Sequence, residues 1–81
     1  MKYVFLRRFT ERLKSFLVSI RKKFWRQLKF LLRDPRHPSL HIKKYDEGRG
    51  IWQARVDRKI RFYFLIKDDT YILLNIKKHS E

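Results

Sequence analysis

The chain changes its hydrophobic period once, and that change divides it. From Phe9 onward the apolar residues Phe9, Leu13, Phe16, Leu17, Ile20, Phe24, Leu28, Leu31 and Leu32 are separated by one, three or four positions. That is the stripe of an amphipathic helix. Beyond "RDPRHPSL" the period becomes two, in "LHIKKY" (40–45), "IWQARVD" (51–57), "IRFYFLI" (60–66) and "YILLNIK" (71–77). Alternation of this kind marks half-buried strands. Pro35 disfavours helix at Asp34 and Pro38 prevents a restart, so the switch has a local cause. A helical layer must therefore cover a sheet.

The opening "KYVFL" reads as a short first strand. Thr10, followed by Glu11, suits a helix N-terminus, and Ser19 offers a second cap. Residues 10–33 thus form two helices or one bent helix. "DEGRG", "RK" and "KDDT" are short enough for antiparallel hairpins. The expected fold is α+β, one domain over residues 1–81 in the order β-α-α-β-β-β-β, with two helices on a mostly antiparallel sheet. A chain this small buries only roughly two-thirds of its unfolded surface, and 13 aromatic residues supply a dense core. "SIRKKFWRQLKFLLR" would also suit a membrane-surface helix, but the strands need a helix over their apolar face. "MKYVFLRRF" is too short an apolar run for a signal peptide or membrane span. A soluble cytoplasmic protein without a membrane partner is expected.

Charge narrows the partners. Twenty-two Lys and Arg against eight Asp and Glu leave +14, well beyond the ~2–8 charges that keep a small domain soluble. Residues 1–44 hold 14 basic and two acidic residues; residues 45–81 hold eight and six. A polyanion is implied, either nucleic acid or an acidic protein. With no cysteine there is no disulfide frame and no thiolate metal site. His37, His41 and His79 lack metal-ligand spacing, so neither metal nor cofactor is expected.

Successive strand residues point to opposite faces. Ile60, Phe62, Phe64 and Ile66 form one core-facing set, with Trp52, Ala54, Val56, Ile72, Leu74, Ile76, Leu40 and Ile42. The other face then gathers His41, Lys43, Arg55, Arg61, Tyr63, Lys77 and His79, with Tyr45 and Gln53 beside them. RNA is cut when its own 2′-hydroxyl attacks the adjacent phosphate. A protein need supply only a base, cations for the crowded phosphorane and an acid for the leaving oxygen. Histidine carries protons near neutrality, arginine offers a fixed fork to phosphate oxygens, and Tyr63 offers a stacking surface for a base. A basic sheet face that only binds RNA satisfies the same pattern.

"LLRDPRHPSLHIKK", "GIWQARVDRKIRFYF" and the terminal "NIKKH" together resemble the RelE/ParE superfamily of toxins from toxin–antitoxin pairs, over nearly the whole chain. The likeness is greatest to the RelE/YoeB-type messenger-RNA interferases. It implies a metal-independent endoribonuclease that cuts mRNA on the 70S-type ribosome, inhibits translation, and is neutralised by an acidic segment of a cognate antitoxin. By this resemblance Arg61 is the arginine that stabilises the transition state and His79 the general acid, while Arg55 falls on a commonly basic position. The YoeB-type glutamate base has no equivalent, because the matching strand reads "LHIKK"; His41 is the candidate in its place. Lys43, Lys44, Tyr63, Lys77 and Lys78 complete the expected RNA contacts. ParE-type members share the fold but poison DNA gyrase and generally lack the nuclease residues, so a gyrase inhibitor remains the alternative, beside a non-catalytic RNA binder.

Overall fold

The computed structural model describes residues 1–79. Its elements are β1 (Lys2–Phe5), α1 (Arg7–Ser15), α2 (Val18–Arg33), a 3₁₀ turn (Pro38–Leu40), β2 (Lys43–Asp46), β3 (Ile51–Arg55), β4 (Ile60–Lys67) and β5 (Thr70–Lys78). The five strands lie in the order β1-β5-β4-β3-β2. β1 runs parallel to β5 and every other pair is antiparallel. The expected layers and strand order along the chain are the ones observed.

Both helices start without the caps the sequence offers. α1 begins at Arg7, with Leu6 at its N-cap and no side-chain cap; Thr10 lies inside it. Tertiary pairing takes over the cap's work. The Leu6 N–H donates to Leu73 O at 3.0 Å, while Leu6 O accepts from the Thr10 N–H at 3.1 Å, so β1 passes directly into helix. Phe16 and Leu17 are both extended and break the helical run, which leaves Ser19 inside α2. α2 ends at the extended Asp34, as Pro35 requires. Pro38, expected only to block a helix, instead opens the 3₁₀ turn at its first position, where a missing N–H is harmless.

Two strand assignments need correction. Residues 40–42 are not strand: Leu40 ends the 3₁₀ turn and His41 is left-handed, with φ 45° and ψ 48°. In β5 the expected parity holds only for the second half. Tyr63 pairs with Asn75 but Phe64 pairs with Leu73, so Leu74 is an extra residue, a β-bulge. One inserted residue inverts the alternation. Tyr71 and Leu73 are therefore buried, and Ile72 and Leu74 face the other side, half-buried. Beyond the bulge Ile76 points inward again and Asn75 and Lys77 outward. Ile66 keeps its parity but is 49% exposed, at the end of β4 where α2 has already given way to Pro35 and Arg36.

Phe9, Phe24, Phe62, Phe64, Leu28, Leu31, Leu40, Leu73 and Ile76 are fully buried. Phe24 is the hinge of an aromatic chain from helix to sheet. Its ring lies 5.1 Å from Phe9 and 5.3 Å from Phe62, the latter nearly perpendicular at 88°. Such pairs contribute about 0.5–1.5 kcal/mol each beyond their buried area. They fix α2 over β4, and hence the face that β4 turns away from the helices.

Candidate active site

The tight turn from β3 to β4 organises the site. The Asp57 carboxylate accepts the N–H groups of Lys59 and Ile60, both at 2.9 Å, and its second oxygen lies 3.6 Å from Lys23 Nζ. Partial burial alone would raise the Asp57 pKa. The two N–H donors and Lys23 outweigh it, and the pKa is lowered. This ionised turn then grips both flanking strands. Arg61 Nη1 donates to the carbonyl oxygens of Asp57 at 2.7 Å, Arg58 at 3.1 Å and Ile60 at 3.3 Å. On the far side, the His79 N–H donates to Lys59 O at 2.7 Å. The last strand is thus tied down at its histidine.

Arg61 stands opposite Arg55 across β3–β4 and opposite Lys77 across β4–β5. It is only 6% exposed. Burial and the neighbouring Arg55 both lower its pKa, yet an arginine that starts so high stays charged. His41, Lys43, Arg55, Arg61 and His79 line a single pocket of about 340 Å³ with Gln53 and Ile42, and among the described residues no carboxylate lines it. The four candidate catalytic residues therefore meet in one place. They arrive from the end of the 3₁₀ turn, β3, β4 and the end of β5, and two imidazoles share a cavity with two guanidinium groups, that of Arg61 held by main-chain carbonyls. That arrangement suits a phosphodiester.

Gln27 holds this constellation from below, and sequence reasoning missed it. It is 3% exposed on α2. Its Nε2 donates to Ser39 O at 3.2 Å and Arg55 O at 3.0 Å, and its Oε1 accepts from Ser39 Oγ at 3.3 Å. The turn bearing His41 is thereby fastened to the strand bearing Arg55. A signal existed: Gln27 stands three residues after Phe24 and four before Leu31, a polar residue on the apolar stripe.

The expected RNA contacts divide. Lys43 lines the pocket, and Lys77 lies on the same sheet face with Nζ 5.2 Å from the Tyr63 ring centre. Tyr63 is only 5% exposed, covered by Tyr45, whose ring meets it edge-on at 4.7 Å. Burial first, and Tyr45 second, raise the Tyr63 pKa. Lys44 and Lys78 are not brought to this face. They pair with Trp52 and Ile60 and so share the helix side, with Lys44 Nζ 4.0 Å above the Trp52 ring.

No protein-family model and no curated protein matches the sequence. Solved structures do match. A YoeB/ParE toxin from Agrobacterium tumefaciens superposes with a TM-score of 0.81 at 14% identity, covering 99% of this chain and 100% of that one. A chain of the archaeal RelE–RelB complex from Pyrococcus horikoshii OT3 gives 0.81 at 14% identity, over 99% and 96%. A chain of the intact E. coli RelBE toxin–antitoxin complex gives 0.75 at 13%, over 99% and 98%. The chain has the fold of RelE- and YoeB-type toxins over its described residues, as the resemblance in the sequence implies.

Proposed function

We propose that this chain is the toxin of a toxin–antitoxin pair and an endoribonuclease that cuts messenger RNA, on the ribosome, in the cytoplasm. The observation that supports it best is the pocket itself: Arg55, Arg61, His41 and His79 together, with no carboxylate among the described lining residues. The nucleophile comes from the substrate, so no metal-activated water is required. His41 takes the proton of the 2′-hydroxyl, whose oxygen bonds to the adjacent phosphorus. Arg61 and Arg55 hold the charge that gathers on the phosphorane oxygens. The bond from phosphorus to the 5′-oxygen breaks, and His79 gives that oxygen a proton. The products are a 2′,3′-cyclic phosphate and a free 5′-hydroxyl. Lys43 and Lys77 steer the backbone, Tyr63 supports the bases from beneath, and Lys44 and Lys78 add to the field from the helix side of the sheet. A partner antitoxin would bring an acidic segment to so basic a surface.

The test is induction in a bacterial host, alone and with the candidate antitoxin. Protein synthesis should stop and mRNA should fall before DNA replication slows, with cleavage ends of the kind named above. DNA breaks appearing first, with mRNA intact, would overturn the ribonuclease in favour of a gyrase poison. RNA bound tightly but left uncut, even on ribosomes, would leave only a binding protein.

A further inference from the structure

A second cavity, of about 540 Å³, lies on the sheet side of the catalytic pocket. Arg7, Arg8, Tyr45, Arg49, Tyr63 and Lys77 are among the residues that line it. Four of these are cations, and none of the described lining residues is a carboxylate. Arg7 Nε and Arg49 Nε do have acidic neighbours, Glu11 at 3.1 Å and Asp46 at 3.6 Å, but as exposed pairs that contribute little and leave the arginines free to exchange partners. Tyr45 is 53% exposed and braced edge-on by the buried Tyr63. A braced, accessible ring is a platform for a flat partner.

The two cavities are continuous in register. Gln53 of the catalytic pocket pairs with Tyr63 of the second, and Arg61 of the first pairs with Lys77 of the second. Arg61 and Tyr63 are two residues apart on one strand, ~7 Å along it, a distance of the order of one nucleotide step in an extended strand. We infer that this cavity is a second nucleotide subsite for single-stranded RNA: Tyr45 stacks one base beyond the scissile phosphate, and Arg49 with Arg7 or Arg8 holds the phosphate that follows. The inference rests on the reading of this face as an RNA site.

Binding of uncleavable 2′-deoxy oligonucleotides tests it without any chemistry. Wild-type protein should bind a six-nucleotide strand far more tightly than the shorter ligand, a single 2′-deoxynucleoside 3′-phosphate that carries nothing beyond the scissile position. Tyr45→Ala should weaken the longer strand about ten-fold, a typical loss for one stacked base, and leave the shorter unchanged; Tyr45→Phe should behave as wild type. Arg49→Gln should flatten the salt dependence of the longer strand by a little under one unit of slope. Equal affinity of wild type and Tyr45→Ala for the longer strand, or no gain with length, would overturn the subsite. Cleavage by wild-type protein is scored separately, so loss of the nuclease proposal and loss of this one give different results.

Discussion

Arg55 and Arg61 are a directly opposed cross-strand pair, two like charges on one sheet face. Such pairs destabilise a sheet by a few tenths to about 1 kcal/mol. Arg61 is held there regardless, by three carbonyl oxygens of the β3–β4 turn and its flank. The repulsion is fixed in place by the backbone, and an anion between the two guanidinium groups would relieve it.

Removing one charge should therefore stabilise the protein. Arg55→Gln is expected to raise the melting temperature by up to a few degrees while lowering cleavage. Inorganic phosphate or sulfate should raise the wild-type melting temperature more than that of the variant. Equal shifts in both proteins, measured by thermal unfolding, would contradict an anion site between the arginines.

Arg61→Ala and His79→Gln should both abolish toxicity, with rate losses of ~10²–10³ and ~10²–10⁴. They differ in stability. Arg61 is buried and bonded to main-chain carbonyls, so its loss should destabilise by about 1–3 kcal/mol. The exposed side chain of His79 makes no such bond among the described residues, and its backbone bond to Lys59 survives substitution. Denaturant unfolding beside single-turnover cleavage separates the two; full activity in either variant would refute the assigned roles.

Gln27 is expected to act as a positioning residue for the proposed nuclease. Gln27→Leu keeps the packing volume but leaves the Arg55 and Ser39 carbonyls without their donor, at a cost of about 1–3 kcal/mol. Cleavage should fall more than RNA affinity, because the histidine shifts while the cations remain. A parallel loss of both would point to simple unfolding.

His41 adopts a left-handed backbone that disfavours any side chain. His41→Gly is expected to be neutral or stabilising, yet to lower cleavage through loss of the base. A variant both more stable and fully active would remove His41 from the mechanism.

Asp57 links pH to the same turn. Its folded pKa is lowered, so its ionised form stabilises the fold. That contribution is complete above the ordinary carboxylate pKa of about 3.9 and is lost as pH falls through the lower folded value. Stability measured from pH 6 to pH 2 should fall less steeply in Asp57→Asn than in wild type, once the variant's lower starting point is subtracted. Identical slopes would show that the turn does not depend on this charge.

Periodicity alone determined the layers. The steps of three and four through Phe9, Phe24 and Leu31 required a helix pair, and the alternation through Ile60, Phe62 and Phe64 required a strand with Arg61 and Tyr63 on its far side. Both follow from local geometry that every helix and strand obeys. The sequence also put Arg55, Arg61 and His79 on one face, because no irregularity separates them from the core residues that define it. Only the tertiary structure decided the rest. The bulge at Leu74 depends on how β5 meets β4, and it reversed the parity of Tyr71 and Leu73 without any signal in their own residue types. His41 reached the pocket through a left-handed turn pinned by Gln27, a contact between residues far apart in the chain. Lys44 and Lys78 lay beside pocket residues in sequence yet fell on the opposite face. Side chains one position apart in a strand are neighbours along the chain and strangers across the sheet, and pairing settles which side each takes wherever a bulge or turn interrupts the alternation.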